Sequence, residues 1–135
     1  MLSLSYGQVR IALLQLYYSH LPIYNLSFDM NVEGRLDFAL FEKCLNFMLQ
    51  RHENLRLNVR LENDRLVPFL TDDKIKIQYE KDEEAFINTP FKLDQEILLK
   101  VLVNGNRLIF LFSDLLIDGH TILTFFKELG RIYNA

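Results

Sequence analysis

Two apolar runs, Leu98–Val103 and Arg107–Phe112, flank a short break that carries the pair Asn104-Gly105. Asn-Gly between extended apolar segments is a strong hairpin signal, because the tight turn needs residues that tolerate φ > 0. The second run does more than complete a hairpin. Leu108-Ile109-Phe110-Leu111-Phe112 has the length and composition of a buried strand, and it leads directly to the polar residues Ser113, Asp114, Asp118 and Gly119. An apolar-periodic segment then starts at Thr121 and runs to the C-terminus. A strand that delivers polar side chains to its end, followed by a tight turn into a helix, is where α/β proteins place their sites. The rest of the chain has to surround Leu108–Thr121.

The remaining segments alternate between helix and strand patterns. Ser5 is placed to N-cap a helix over residues 7–18, with Val9, Ala12, Leu13 and Leu16 at helical spacing, and Pro22 blocks its continuation. Tyr24–Glu33 alternates: Leu26, Phe28, Met30 and Val32 fall on one side, and Ser27, Asp29, Asn31 and Glu33 on the other. That is a strand with one wet face, ended by Gly34. Asp37 caps a helix over Phe38–His52 whose buried stripe is Phe41, Cys44, Leu45, Met48 and Leu49, with Glu42, Lys43, Asn46 and Gln50 assigned to water. Arg56–Glu62 and Arg65–Leu70 form a hairpin about Asn63-Asp64, and Pro68 marks an edge strand. Lys74–Glu80 alternates as a further strand. Asp82-Glu83-Glu84 opens a short helix that Pro90 stops. Thr121–Tyr133 closes the chain as an amphipathic helix bearing Ile122, Leu123, Phe125, Phe126, Leu129 and Ile132.

Interleaved helices and hairpin-linked strands imply a mixed or antiparallel sheet with helices packed on one face, an α/β two-layer sandwich. With 135 residues and no internal repeat or linker, residues 1–135 read as a single domain. Lys and Arg number 15 against 18 Asp and Glu, and the basic residues are scattered, which argues against nucleic acid as a partner. The absence of a bilayer-length apolar stretch or signal peptide gives no membrane association and a cytoplasmic location as the expectation. Cys44 has no second cysteine for a disulfide or a thiolate metal site, and on its stripe it reads as a small core side chain. His20, His52 and His120 share no ligand spacing, so neither a metal nor a directly bound cofactor is expected.

Several ordered segments resemble one family. Leu2-Ser3-Leu4-Ser5-Tyr6-Gly7-Gln8 is similar to an opening L-S-x-x-Q motif, and Tyr24-Asn25-Leu26 to a Y-N that leads into a first long strand. Arg51-His52-Glu53-Asn54-Leu55-Arg56 resembles R-H-E-x-L-R. Pro90-Phe91-Lys92-Leu93, followed by Leu98-Leu99-Lys100, resembles P-F-D-L…P-L-L-R, with Lys92 and Ile97 as departures. Ser113-Asp114-Leu115-Leu116-Ile117-Asp118-Gly119 stands where the core motif His-His-x-x-x-Asp-Gly would be. By these motifs the chain resembles the N-terminal lobe of a nonribosomal peptide synthetase condensation domain, of the chloramphenicol-acetyltransferase-like superfamily, whose architecture is the two-layer sandwich inferred above.

The resemblance implies a division of roles. In the family the second core histidine lies beside the amine that attacks a carrier-bound thioester, a task suited to imidazole because its pKa lies near working pH. Here that position is Asp114, and Ser113 replaces the first histidine, so no catalytic residue is expected. Asp114 is read as a solvated or capping carboxylate, and Ser113 has no histidine base beside it. The family's motif aspartate is structural, pairing with an arginine of the second motif. Asp118 and Arg56 match these, and Gly119 would permit the turn that follows. His120 reads as a first-turn helix residue, and His52 as a residue that packs or hydrogen-bonds at a helix end. The function this implies is a non-catalytic, condensation-like lobe that acts as an interaction or docking module in nonribosomal peptide or hybrid polyketide biosynthesis. Its partners would be carrier or tailoring proteins, the phosphopantetheine of a carrier among the groups presented, or a complementary C-terminal lobe. Alternatives are half of a split acyltransferase completed by a second lobe around Asp114, or a fragment of a longer synthetase. A lone lobe leaves its inner surface uncovered, so a homodimer burying the face next to Ser113–Asp118 is a further expectation.

Overall fold

The computed structural model describes residues 2–117 and 121–135. In chain order the elements are α1 (Tyr6–Tyr17), β1 (Asn25–Asn31), α2 (Phe38–Arg51), β2 (Leu57–Glu62), β3 (Arg65–Leu70), β4 (Gln78–Tyr79), α3 (Glu83–Asn88), β5 (Leu99–Asn104), β6 (Arg107–Ser113) and α4 (Thr121–Tyr133). Single 3-10 turns lie at Glu53–Arg56 and Asp114–Leu116.

The hairpin read from Asn104-Gly105 lies at the centre of the fold. β6 sits between β1 and β5 in a four-stranded sheet of order β1-β6-β5-β4, antiparallel except for the short parallel β4–β5 pair. Gly105 takes φ of 57° in the turn, where a side chain would be strained. β2 and β3 form a separate two-stranded hairpin about Asn63 and Asp64, both at positive φ, as a two-residue primed turn requires.

Alternation along β6 divides its side chains between the two faces of the sheet. Phe110 and Phe112 meet Phe126 and Phe125 of α4 edge-on, with centroids 4.9 and 5.4 Å apart, and Phe41 of α2 meets Phe110 at 6.1 Å. α2 and α4 therefore pack together on this face, as the two-layer reading requires. They are also tied by polar contacts, because Glu128 of α4 binds both Arg51 (3.3 Å) and His52 at the end of α2. The other face carries Ile109, Leu111 and Ser113, all fully buried. Arg107, on the same face, bridges Asp29 of β1 and Glu83 of α3.

The stripe read for α2 is the one that is buried: Phe41, Cys44, Leu45, Met48 and Leu49. Four other expectations need correction. In α1 the buried residues are Ala12 and Gln15, while Leu13 is half exposed. The Lys74–Glu80 strand shrinks to Gln78–Tyr79. Its first half is held by α2 side chains instead of a neighbouring strand: Asn46 accepts from the Ile75 N–H (2.7 Å) and donates to its carbonyl (2.9 Å), and Glu42 accepts from the Ile77 N–H (2.8 Å). Glu42 and Asn46 thus face a chain segment, where the helical pattern assigned them to water. On α4, Leu123 is outward, at 61% exposure.

Candidate functional site

The end of β6 is pinned through its backbone before any side chain is considered. The Ser113 N–H donates to the Leu98 carbonyl (2.9 Å) and the Asp114 N–H to the Tyr24 carbonyl (2.8 Å), which ties the strand end to the approaches of β5 and β1. The 3-10 turn Asp114–Leu116 follows at once, closed by the Ile117 N–H on the Asp114 carbonyl (3.2 Å). Ser113 is its N-cap: Oγ accepts from the Leu115 N–H at 3.2 Å, and the residue is fully buried. Gln8 of α1 donates through Nε2 to the Leu115 carbonyl (3.1 Å), so α1 lies over the turn.

Asp114 is half-buried, and burial pushes its carboxyl above the ordinary aspartate range. Desolvation disfavours the charged form, so the shift is upward. The solvated carboxylate expected from sequence is therefore a partly desolvated one. Burial likewise raises the thiol of Cys44, which leaves it a core side chain without thiolate character.

Arg56 stands at the far end of α2. Its Nε donates to the Leu49 carbonyl at 2.9 Å, one of the last carbonyls of the helix, and its Nη1 lies 3.8 Å from the exposed Asp72. Asp118, Gly119 and His120 lie outside the described residues, and with them the expected Arg56–Asp118 pair. His52 is at the helix end, where it meets Glu128. His20 is exposed in the loop after α1. Among the described residues no three His, Cys, Asp or Glu side chains are placed to hold a metal ion, and no helix is long and apolar enough to cross a membrane.

Side-chain amides that bond distant carbonyls were invisible to sequence reasoning. Asn58 donates to the Leu93 and Glu96 carbonyls, both at 2.7 Å. Gln15 donates to the Phe91 carbonyl at 3.0 Å, and Asn25 to those of Ile87 (3.0 Å) and Thr89 (2.8 Å). Together these four bonded amides, Gln8 included, fasten the end of α3, the segment 89–96 that follows it and the Asp114–Leu116 turn to the regular elements. The one available signal was their position: Gln8 and Gln15 stand seven residues apart on one helix face.

The Condensation domain family model matches residues 1–135. A linear gramicidin synthase of Brevibacillus parabrevis is 30% identical over 155 residues, covering 99% of this chain. Bacitracin synthase 1 of Bacillus licheniformis is 29% identical over 146 residues, covering 98%. The chain spans about 3% of the length of each. Among solved structures, the starter condensation domain of rhizomide synthetase superposes with a TM-score of 0.82 at 20% identity, over 97% of this chain and 36% of that one. The first condensation domain of the CDA synthetase gives 0.77 at 16% identity, over 97% and 39%. At such identities the superpositions establish the fold alone, which is that of one chloramphenicol-acetyltransferase-like lobe. By its motifs, its family match and its fold, this chain belongs to the condensation domain family of nonribosomal peptide synthetases.

Proposed function

We propose that this chain is a non-catalytic condensation-like lobe that serves as an interaction module in nonribosomal peptide or hybrid polyketide biosynthesis. The observation that carries the reading is Ser113. It occupies the first histidine position of the core motif, is fully buried, and engages its hydroxyl oxygen with the Leu115 N–H. A capped, buried hydroxyl is a turn-forming group, and the second histidine position holds a carboxylate. Neither position offers the imidazole that proton transfer near neutral pH favours.

The partners in this reading are carrier proteins presenting phosphopantetheine thioesters, tailoring proteins, or a complementary C-terminal lobe. Arg56, Asp118 and Gly119 brace the core loop, with Arg56 and Asp118 as an ion pair. The whole of residues 1–135 acts as one cytoplasmic lobe. Titration of loaded carrier proteins and of a complementary lobe into the chain, followed by calorimetry, tests the module. Micromolar binding to at least one, unchanged by Asp114→Ala, is expected. Binding to none of them would overturn it.

Two observations favour other readings. The raised carboxyl of Asp114 moves in the direction a general base needs, which supports half of a split acyltransferase completed by a second lobe. Coverage of 36% of a solved condensation domain supports a fragment of a longer synthetase. Condensation that appears only with the second lobe and vanishes in Asp114→Ala would favour the split enzyme.

A further inference from the structure

Among the described residues, two buried side-chain oxygens have no hydrogen-bond partner: Gln15 Oε1 and Asn25 Oδ1. Buried acceptors in native proteins are nearly always paired, so both call for a donor. They belong to amides that fasten the same short stretch of chain. Gln15, only 2% exposed, donates through Nε2 to the Phe91 carbonyl (3.0 Å), and Asn25 donates through Nδ2 to those of Ile87 (3.0 Å) and Thr89 (2.8 Å). The Thr89 and Phe91 carbonyls are two residues apart, at most about 7 Å even along an extended chain. Between them stands Pro90, which has no N–H to offer either oxygen.

The one free donor hydrogen beside them is that of Ser113. Asn25 and Ser113 are partners across β1 and β6. The hydrogen-bonded pair next to them is Tyr24 with Asp114, so Asn25 and Ser113 form a non-hydrogen-bonded pair, the kind in which opposed side chains come closest. Ser113 Oγ accepts from the Leu115 N–H (3.2 Å), which uses a lone pair and leaves the hydroxyl hydrogen to donate. That hydrogen does not reach Asn25 Oδ1 directly, since the amide oxygen is unpartnered.

We infer that a single internal water molecule is bound at this point, donating its two hydrogens to Gln15 Oε1 and Asn25 Oδ1 and accepting the hydroxyl hydrogen of Ser113. Two acceptors and one donor match the bonding capacity of water, and about three hydrogen bonds is the usual number for a buried one. A cation would also suit the acceptors, but both are neutral amides, and a buried ion needs a paired charge. The inference goes beyond the interaction-module reading and does not depend on it. It makes α1, β1 and β6 one hydrogen-bonded unit beneath the core turn, and it engages the Ser113 hydroxyl as donor as well as acceptor.

A high-resolution crystal structure of the full chain tests it first. A solvent peak is expected within about 2.6–3.2 Å of all three oxygens, Gln15 Oε1, Asn25 Oδ1 and Ser113 Oγ. Oxygen-17 relaxation dispersion, which detects long-lived internal waters, tests it in solution, with circular dichroism confirming that each variant is folded. Ser113→Ala removes one of the three bonds and is expected to shorten the residence time of one such water by at least about fivefold. Gln8→Met, which loosens the same turn by deleting the bond to the Leu115 carbonyl, should leave that water unchanged. A peak out of reach of any one of the three oxygens would overturn the inference, as would no peak, an ion in its place, or a direct Ser113–Asn25 bond. So would a residence time indifferent to Ser113→Ala, or one that Gln8→Met shortens equally. Should Ser113→Ala fail to fold, the crystal structure of the native chain decides the matter alone.

Discussion

Ser113 and Asp114 are adjacent in the chain, yet their side chains meet different surroundings. Strand alternation sends Ser113 into the interior, where its hydroxyl caps the turn that its own strand opens. Asp114, on the next position, is left half-buried, with its carboxyl desolvated. That has a consequence for pH. A folded-state pKa raised above the unfolded value means that the native protein holds the proton more tightly. Stability then falls as pH rises from the ordinary aspartate range through the raised folded value. Asp114→Asn removes the penalty. Urea unfolding at neutral pH should find the variant more stable than the native chain, with the gap closing below about pH 4, the ordinary aspartate pKa. A variant less stable at neutral pH would show that the carboxylate makes a favourable contact that outweighs its desolvation.

At the scale of elements, what was legible in the sequence was what depends on local period and turn chemistry. The α2 stripe from Phe41 to Leu49 follows the 3.6-residue repeat, and Asn63, Asp64 and Gly105 sit where positive φ is needed. The misread elements depend on distant partners. Gln8 and Gln15 point inward because carbonyls 107 and 76 residues away receive their amides, an arrangement that no helical pattern encodes. Lys74–Glu80 has the alternation of a strand, but Asn46 and Glu42 occupy much of the hydrogen bonding a neighbouring strand would use. Ser113 and Asp114 were legible as polar residues at the end of a buried strand, while the burial that distinguishes them was not. Arg56 belongs to the same class of long-reach contacts. It supplies a charged donor to the Leu49 carbonyl, which the end of α2 otherwise leaves without a helical partner. Arg56→Ala should therefore lower unfolding free energy by about 1–3 kcal/mol, the cost of an unpaired buried acceptor. The exposed Asp72 contact adds little. Thermal or urea denaturation checks this, and unchanged stability would count against both the helix-end bond and the expected Asp118 brace.

At the scale of the molecule, β6 organises everything else: aromatic rings bind it to α2 and α4 on one face, and its end is tied to β1, β5 and α1 by backbone and amide bonds. The fold of the family is thus retained around a strand end that carries Ser113 and Asp114, where the sequence resemblance expects two histidines. The most direct measurement is product formation from an acyl-loaded donor carrier and an aminoacyl-loaded acceptor carrier, with the chain alone and with a complementary C-terminal lobe. Without catalysis by this lobe, product should not exceed the carrier-only background in either case, and Asp114→Ala should be indistinguishable from the native chain. Turnover above background that Asp114→Ala abolishes would contradict a non-catalytic lobe and make Asp114 a working base.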